Sequence, residues 1–356
     1  MKKKRLLDRS IESRDLLAVI VTVLILSLSF SLRAQPVNTV IATVPINSGT
    51  LIGLRVTPDG KYVYVVGWGS NAVFVIDTAT NTEAPNAIGL GGIGYPNFLA
   101  ISPKGNYVYV ANANYGGGGG VNAPPGTVSV IDNAQTSTPA LKQTITGMGE
   151  FSWVIAINPA GTQAYVGNLY DGTISVINLK KNTVLPLPIQ TGSGPSSIAF
   201  TPDGKHAYVA NYYDNTVDDI DTTTQLIVGA AIPVGKQPMN VVITPDGTKA
   251  YVTNIDGTVS VINTSTNQVS STIQLNATQS GYELGSALTP DGKYLLVPNQ
   301  GAHTVLTIST QTDAVVGTPV TVGNVPGVIA IARTGLRAYV TNLYDNTVSV
   351  IKIKGG

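Results

Sequence analysis

The sequence predicts an all-β fold, a seven-bladed β-propeller closed by an N-terminal strand that completes the last blade. A turn of the type TPDGK, followed by a strand that ends in AYVTN, occurs seven times. Successive turn glycines are 45, 56, 43, 43, 45 and 43 residues apart; they are Gly60, Gly105, Gly161, Gly204, Gly247, Gly292 and Gly335. A period in the low forties with strand-like contents is typical of one four-stranded blade per repeat. The composition agrees, because Val, Ile, Thr and Tyr dominate and 38 Gly and 21 Pro separate the segments.

Residues 1–34 have the pattern of an export signal that precedes a single propeller domain, residues 35–356. A basic region that includes Lys2 and Arg5 is followed by an uncharged run over 16–32, and Ala34 is the expected cleavage point. The run is marginal for a membrane span, which needs roughly 20 residues. The acidic residues Asp8 and Glu12 keep an uncleaved anchor open as an alternative. Both interpretations predict a periplasmic, secreted or cell-surface propeller, with membrane attachment only through the leader.

Charge and cysteine content narrow the possible partners and cofactors. Without residues 1–34 the chain has 14 basic and 17 acidic side chains, a net charge of −3. This sign disfavours a nucleic-acid partner without excluding it. The chain has no cysteine, which excludes disulfides, thiolate metal sites and cysteine nucleophiles. We expect a monomer with no cofactor and no metal site.

Each repeat predicts the same four strands. Strand a is a short apolar run, such as residues 197–200, and strands b, c and d follow it, with strand d represented by residues 267–273. The last repeat stops after its strand c, near Val350. A segment with the character of strand d stands instead at the other end of the chain, over residues 38–46. We therefore expect the strand near Val40 to pair with the strand near Val350 and close the ring.

The AYVTN, TPDGK and NTVSVID motifs resemble the YVTN-type propeller repeat of bacterial and archaeal surface and periplasmic proteins. The resemblance covers residues 38–352 and implies the fold. Propellers of this kind serve as surface-layer domains, as adhesion or nucleic-acid-binding modules, as subunits of quinoprotein dehydrogenases and as lactone hydrolases. The resemblance therefore implies no single activity.

When the seven repeats are aligned, two positions hold the same residue in nearly every repeat; these columns are interpreted as structural. At two other positions a single repeat departs from the pattern with a charged residue. A tyrosine in strand b and an asparagine at its end each recur in six of the seven repeats. Arg55 replaces the Ala or Val of strand a, and Asp219 replaces the Val or Thr of strand c. Each departure has two interpretations. Arg55 either extends into the central channel or is a site residue, and Asp219 either marks a loosened blade or is a site residue.

The long second spacing contains an insertion with five glycines, Gly116 to Gly120, between strands b and c of the second repeat. No helix follows these glycines, so they do not form a phosphate-binding loop. The segment is expected to be a surface loop. It is either an insertion without a function of its own or a lid over the channel mouth.

The b–c loops and d–a connections share one face of the propeller, named here the loop face. Ten of the 23 aromatic residues, including both tryptophans, are expected there together with several acidic residues. They form either a plug for the channel or a surface that stacks on sugar rings or captures a peptide. The candidate ligand-binding residues are Arg55, Trp68, Tyr95, Trp153, Tyr170, Tyr212, Tyr282, Glu283, His303 and Tyr344.

These observations favour an exported, non-catalytic binding or scaffold protein with a glycan or a protein or peptide ligand. Two alternatives remain. Arg55, Glu283 and His303 suggest a lactone- or sugar-acting hydrolase or lyase if they meet at one channel mouth. A nucleic-acid-binding propeller is the other alternative. The two histidines, His206 and His303, are expected on opposite faces, and no known catalytic motif is present.

Overall fold

The computed structural model describes residues 38–91, 94–114, 124–275 and 285–354, all of them within one compact unit, Val37–Gly356. The predictions for the leader, the Gly116–Gly120 loop, Tyr282 and Glu283 lie outside these residues. The described residues form seven small antiparallel sheets and the turns between them. They contain no helix with the length and hydrophobicity that a membrane crossing requires. The predicted all-β, seven-bladed propeller is confirmed.

Three strands of each blade follow the prediction closely. Strands a, at the centre, are Leu51–Val56, Pro96–Ile101, Ser152–Ile157, Pro195–Phe200, Pro238–Ile243, Ala287–Leu288 and Pro326–Ile331. Strands b are Tyr62–Gly67, Tyr107–Asn112, Gln163–Asn168, His206–Asn211, Lys249–Asn254, Tyr294–Asn299 and Arg337–Asn342. Strands c are Ala72–Asp77, Thr127–Asp132, Thr173–Asn178, Thr216–Asp221, Thr258–Asn263, Thr304–Ser309 and Thr347–Lys352.

The outer strand d varies more than the sequence predicts. It is continuous in blades 2, 5 and 6, as Ala140–Ile145, Gln268–Gln274 and Ala314–Thr321. It is split into two short pieces in blades 1, 3 and 4, as Thr82–Glu83 with Ile88–Gly89, Thr183–Val184 with Ile189–Gln190, and Leu226–Ile227 with Ile232–Pro233. Pro85 and Pro186 lie in two of these interruptions and have no N–H for the ladder. In blade 4 the interruption contains Gly229, whose φ of 72° leaves the extended conformation.

The ring closes as the sequence predicts. Strand d of blade 7 is Thr39–Pro45, which pairs antiparallel with Thr347–Lys352. Ala42 lies opposite Val350 and Val44 opposite Val348, with a register shift between Val40 and Ala42. The side chain of Asn38 reaches into blade 6, where it donates to the Thr307 hydroxyl at 3.2 Å. The closing strand is thus bound to its own blade and to a neighbour.

The core lies between blades, where apolar side chains of adjacent sheets interdigitate. One such cluster joins Tyr64 and Val66 of blade 1 to Val108 and Val110 of blade 2, and similar clusters occur around the ring. Each sheet packs against a neighbouring blade on both of its faces, and nearly every residue of strands b and c is therefore buried. The stability of each blade therefore depends on its neighbours.

The tyrosine column connects neighbouring blades. Tyr64, in blade 1, donates its hydroxyl hydrogen to the carbonyl oxygen of Ala134 in blade 2 at 3.0 Å. Tyr251 donates to the Asp313 carboxylate of blade 6 at 2.5 Å, and Lys249 binds the same carboxylate at 2.8 Å. Tyr165 is equally buried, but its hydroxyl has no hydrogen-bond partner among the described residues.

These two tyrosines provide a matched test of the column. Tyr251→Phe should lower the free energy of unfolding by about 1–2 kcal/mol, because it removes a hydrogen bond to a charged acceptor. Tyr165→Phe should leave the free energy of unfolding unchanged or raise it slightly, because no bond is lost. Urea denaturation of both variants measures the difference. Equal losses in the two variants would contradict a role for the hydroxyl.

Candidate functional site

Two cavities lie near the propeller axis. The larger, named here the axial channel, has a volume of about 670 Å³ and is lined by residues from the a strands of all seven blades. The smaller, named here the loop-face pocket, has a volume of about 340 Å³ and lies on the loop face. Ser196 and Met239 line both cavities, so the two are adjacent. The opposite face, which carries the a–b and c–d turns, is named the turn face.

Arg55 extends into the axial channel. Six small residues occupy its level in the other blades and also line the channel; they are Ala100, Ala156, Ala199, Val242, Ala287 and Ala330. One guanidinium nitrogen of Arg55 donates to the carbonyl oxygen of Leu54 at 2.8 Å. Burial lowers the pKa of Arg55, but an arginine side chain remains protonated in proteins. The channel thus contains a permanent cation.

The loop-face pocket brings together three of the predicted site residues, Trp153, Tyr212 and Tyr344. Tyr213 adds a fourth aromatic ring, and the remaining lining is mainly apolar, from Leu169, Met239, Val325 and Leu343 with Ser196 and Gln300. The residue that follows the asparagine column turns inward in several blades. Sequence periodicity could have indicated these positions, because Leu169, Tyr212, Gln300 and Leu343 each come directly after an asparagine of that column.

Solvent exposure separates the aromatic residues of the loop face into two groups. Tyr344 is 71% exposed, Tyr213 is 52% exposed and Tyr170 is 42% exposed, so their rings are available to a ligand. Trp68 and Trp153 are partly buried and pack on the core cluster that contains Ile52 and Phe98. Part of the aromatic face therefore closes the channel end, and part borders the pocket.

The other predicted aromatic residues lie beside the pocket rather than in its lining. Trp68 and Tyr95 form a pair with ring centroids 4.9 Å apart. Phe151 lies 4.6 Å from Tyr170 and 6.0 Å from Trp153, measured between ring centroids. These contacts extend the aromatic surface from the pocket towards blades 1 to 3.

The acidic residues of the loop face have a structural role that the sequence analysis missed. Asp171 accepts the backbone N–H of Glu150 at 2.6 Å, and Asp345 accepts that of Asn324 at 2.6 Å. The same bond recurs from Ser193 to Asp214 and from Lys236 to Asp256. Each carboxylate thereby holds the d–a connection beside its own b–c loop. The recurrence of aspartate two or three residues after the asparagine column is the signal that could have shown this.

His303 and Arg55 are not brought together. His303 is exposed, lines neither cavity and has a φ of 55° at a turn position that Asn or Gly occupies in other blades. Its Nδ1 accepts the backbone N–H of Val325 at 3.1 Å. Arg55 lies inside the axial channel, and Glu283 is outside the described residues. The geometry of the described part gives no support to the hydrolase constellation.

Asp219 is a paired buried residue. One of its oxygens is 2.9 Å from Nδ1 of His206, and the other accepts a hydrogen bond from Asn267 at 2.8 Å. Asn267 belongs to blade 5 and also accepts the Tyr208 hydroxyl at 2.6 Å. Through these hydrogen bonds the Asp219 side chain links blade 4 to blade 5. Within the described ranges, no group of three or more His, Cys, Asp or Glu side chains is placed to hold a metal ion.

A comparison with solved structures supports the fold. Among 1768 solved chains that match is one described as Kuenenia stuttgartiensis hydrazine synthase, with a TM-score of 0.74. It is 22% identical, and the match covers 86% of this chain and 97% of that chain. At this identity the likeness shows the fold alone. No protein-family model and no curated protein matches the chain. The chain is a seven-bladed β-propeller with an aromatic pocket at one end of its axis and an arginine in its channel.

Proposed function

We propose that the chain is an exported, non-catalytic binding propeller of the YVTN-repeat type that recognises a glycan at its loop-face pocket. One observation carries the proposal: four aromatic side chains from three blades, Trp153, Tyr212, Tyr213 and Tyr344, line a single pocket. Aromatic rings provide broad apolar contact to the C–H face of a sugar, and tyrosine hydroxyls add hydrogen-bonding capacity.

A glycan is favoured over a cationic peptide because the acidic residues of the loop face are already hydrogen-bonded within the protein. Asp171, Asp214 and Asp345 are each engaged by a backbone N–H. These hydrogen bonds hold the loops in place. Stacking on the aromatic rings is therefore the principal interaction that the pocket offers to a ligand. A peptide ligand is the alternative outcome of the experiment below. The leader-like sequence of residues 1–34 supports an envelope or extracellular location for either ligand.

The proposal is tested by screening the full chain on a glycan array that includes cell-wall fragments, with peptides and single-stranded DNA as additional probes. Trp153→Ala should weaken binding of the best glycan about tenfold or more, because it removes the large apolar contact area of the indole from the pocket. Tyr344→Ala should weaken it similarly. Tyr344 is 71% exposed, so its removal does not disturb the core.

Lysine variants of the turn face provide the control. Lys61→Ala, Lys205→Ala and Lys293→Ala remove exposed charges far from the pocket and should leave glycan affinity within about twofold of the parent. A screen in which only peptides bind would replace the glycan by a peptide. Loss of binding in the lysine variants, with Trp153→Ala silent, would move the site to the turn face and favour a nucleic-acid ligand.

A further inference from the structure

The axial channel contains two departures from the repeat pattern, and both are basic. Arg55 stands where six other blades have Ala or Val, and Arg333 stands where six other blades have the proline of the a–b turn. Both side chains line the channel. Blade 7, like blades 2 and 3, has no turn aspartate, since its turn reads Ala332, Arg333, Thr334 and Gly335. Neither arginine is within 4.0 Å of a carboxylate of the described residues, and the described residues that line the channel include no acidic side chain.

From this arrangement we infer that the axial channel binds a small organic carboxylate, with Arg55 as the residue that recognises the anion. Arg55 is half-buried in the channel, and the partial loss of hydration of a guanidinium is unfavourable unless an anion pairs with it. Its one bond, to the Leu54 carbonyl oxygen, leaves most of its five N–H groups without an acceptor in the described structure. A planar carboxylate can accept two of them in parallel.

The remaining lining fits a carboxylate attached to a small body that is partly apolar. Ala, Val and Ile are the most frequent residues of the channel wall, which exposes polar and apolar surface in similar amounts. A polar strip crosses blades 4 to 6, where Asn240 donates to the Ser197 hydroxyl at 3.2 Å and accepts from the Ser286 hydroxyl at 2.8 Å. A phosphate dianion is usually held by several backbone N–H groups or a helix N-terminus. The inference therefore names a carboxylate rather than a phosphate.

The ligand is expected to enter from the turn face. At the loop-face end, Trp68, Trp153 and Leu343 pack on the core cluster around Phe98 and Met239 and narrow the channel. Arg333 is exposed at the turn-face end and also lines the channel. A cation at the entrance increases the local concentration of anions and their association rate. The two arginines thus have separate roles, attraction at the entrance and pairing inside.

The experiment titrates the full chain with benzoate by calorimetry, and with benzamide as the neutral analogue of the same shape. Benzoate should bind measurably and benzamide at least about tenfold more weakly, because only the carboxylate pairs with the guanidinium. Arg55→Ala should lower benzoate affinity about tenfold or more and abolish the preference over benzamide. The variant restores the residue found in most other blades, so the blade should fold, which thermal unfolding verifies.

Three further variants separate the role of Arg333 from those of the surrounding charges and of the loop-face pocket. Arg333→Pro restores the proline of the other blades and should lower the association rate several-fold and weaken its salt dependence, with a smaller effect on dissociation. Lys205→Ala removes the same charge from the turn face outside the channel and should change neither. Tyr344→Ala, in the loop-face pocket, should leave benzoate binding unchanged, so this inference stands or fails separately from the proposed function.

Several results would overturn the inference. Equal affinity for benzoate and benzamide, or an Arg55→Ala variant that binds benzoate like the parent, would show that Arg55 does not recognise the anion. Inorganic phosphate that binds more tightly than benzoate would contradict the carboxylate. A rise of about tenfold or more in benzoate affinity on Glu283→Gln would show that a carboxylate of the chain itself pairs with Arg55.

Discussion

Deletion of residues 38–46 is expected to destabilise the entire ring rather than remove one loose end. Val44 and Ile46 are buried, and burial of such side chains stabilises by roughly 1.5–3 kcal/mol each. Their loss also exposes the ladder groups of Thr347–Lys352 and the apolar surface between blades 6, 7 and 1. The melting temperature should fall by about 10 °C or more, and self-association should appear at the open edge.

Two controls connect this effect to ring closure. Val40→Thr and Ile41→Thr change side chains of the same strand that are 37% and 46% exposed, so melting should change little. A synthetic peptide with the sequence of residues 38–46 should raise the melting temperature of the truncated protein as its concentration increases. A truncated protein that stays monomeric and melts within about two degrees of its parent would show that the strand does not close the ring.

Alkaline pH is expected to unfold the protein cooperatively through the tyrosine column. Burial raises the pKa of Tyr109 and of Tyr165 to about 12, and it also raises the pKa of Tyr64, Tyr208 and Tyr339. The folded state thus favours neutral phenols, because a phenolate between two blades would lose its hydration.

The direction of the pH effect follows from these shifts. An unfolded tyrosine titrates near pH 10, below the raised values of the folded state. The stabilisation is therefore complete below pH 10 and is lost as the pH rises from 10 towards about 12. Each such rise in pKa corresponds to a few kcal/mol of stability, which is an appreciable part of the ~5–15 kcal/mol by which many domains are stable.

The measurement follows tyrosinate absorbance and circular dichroism together as the pH is raised. The part of the absorbance change that comes from the column tyrosines should coincide with the change in circular dichroism, because these tyrosines ionise when the blades separate. Tyr165→Phe should move that transition to higher pH, whereas Tyr344→Phe, at a side chain that is 71% exposed, should leave it unchanged. Full ionisation near pH 10 with an intact fold would show that the column is accessible to solvent.

Local pattern was enough to predict the blades and their closure. The TPDGK turns, the alternation of strands b and c, and the strand-like segment at residues 38–46 all act over neighbouring residues or within one repeat. Fold class, blade number and the pairing of the terminal strands follow from them, because each repeat can bury its faces only against copies of itself. The split of strand d in blades 1, 3 and 4 was not predicted, although Pro85 and Pro186 are visible in the sequence.

The candidate sites depend on which side chains meet across the ring, and no local rule specifies that. Trp153, Tyr212 and Tyr344 are separated by up to 191 positions in the sequence and converge on one pocket only because blades 3, 4 and 7 surround a common axis. His303 and Arg55 looked equally suitable as site residues, yet one occupies a turn with positive φ and the other extends into the channel. Arg333 became a candidate site residue only because the structure places its turn at the end of the axial channel. Repeat sequence determines how each blade is built, whereas the environment of an individual side chain is created by the closed ring.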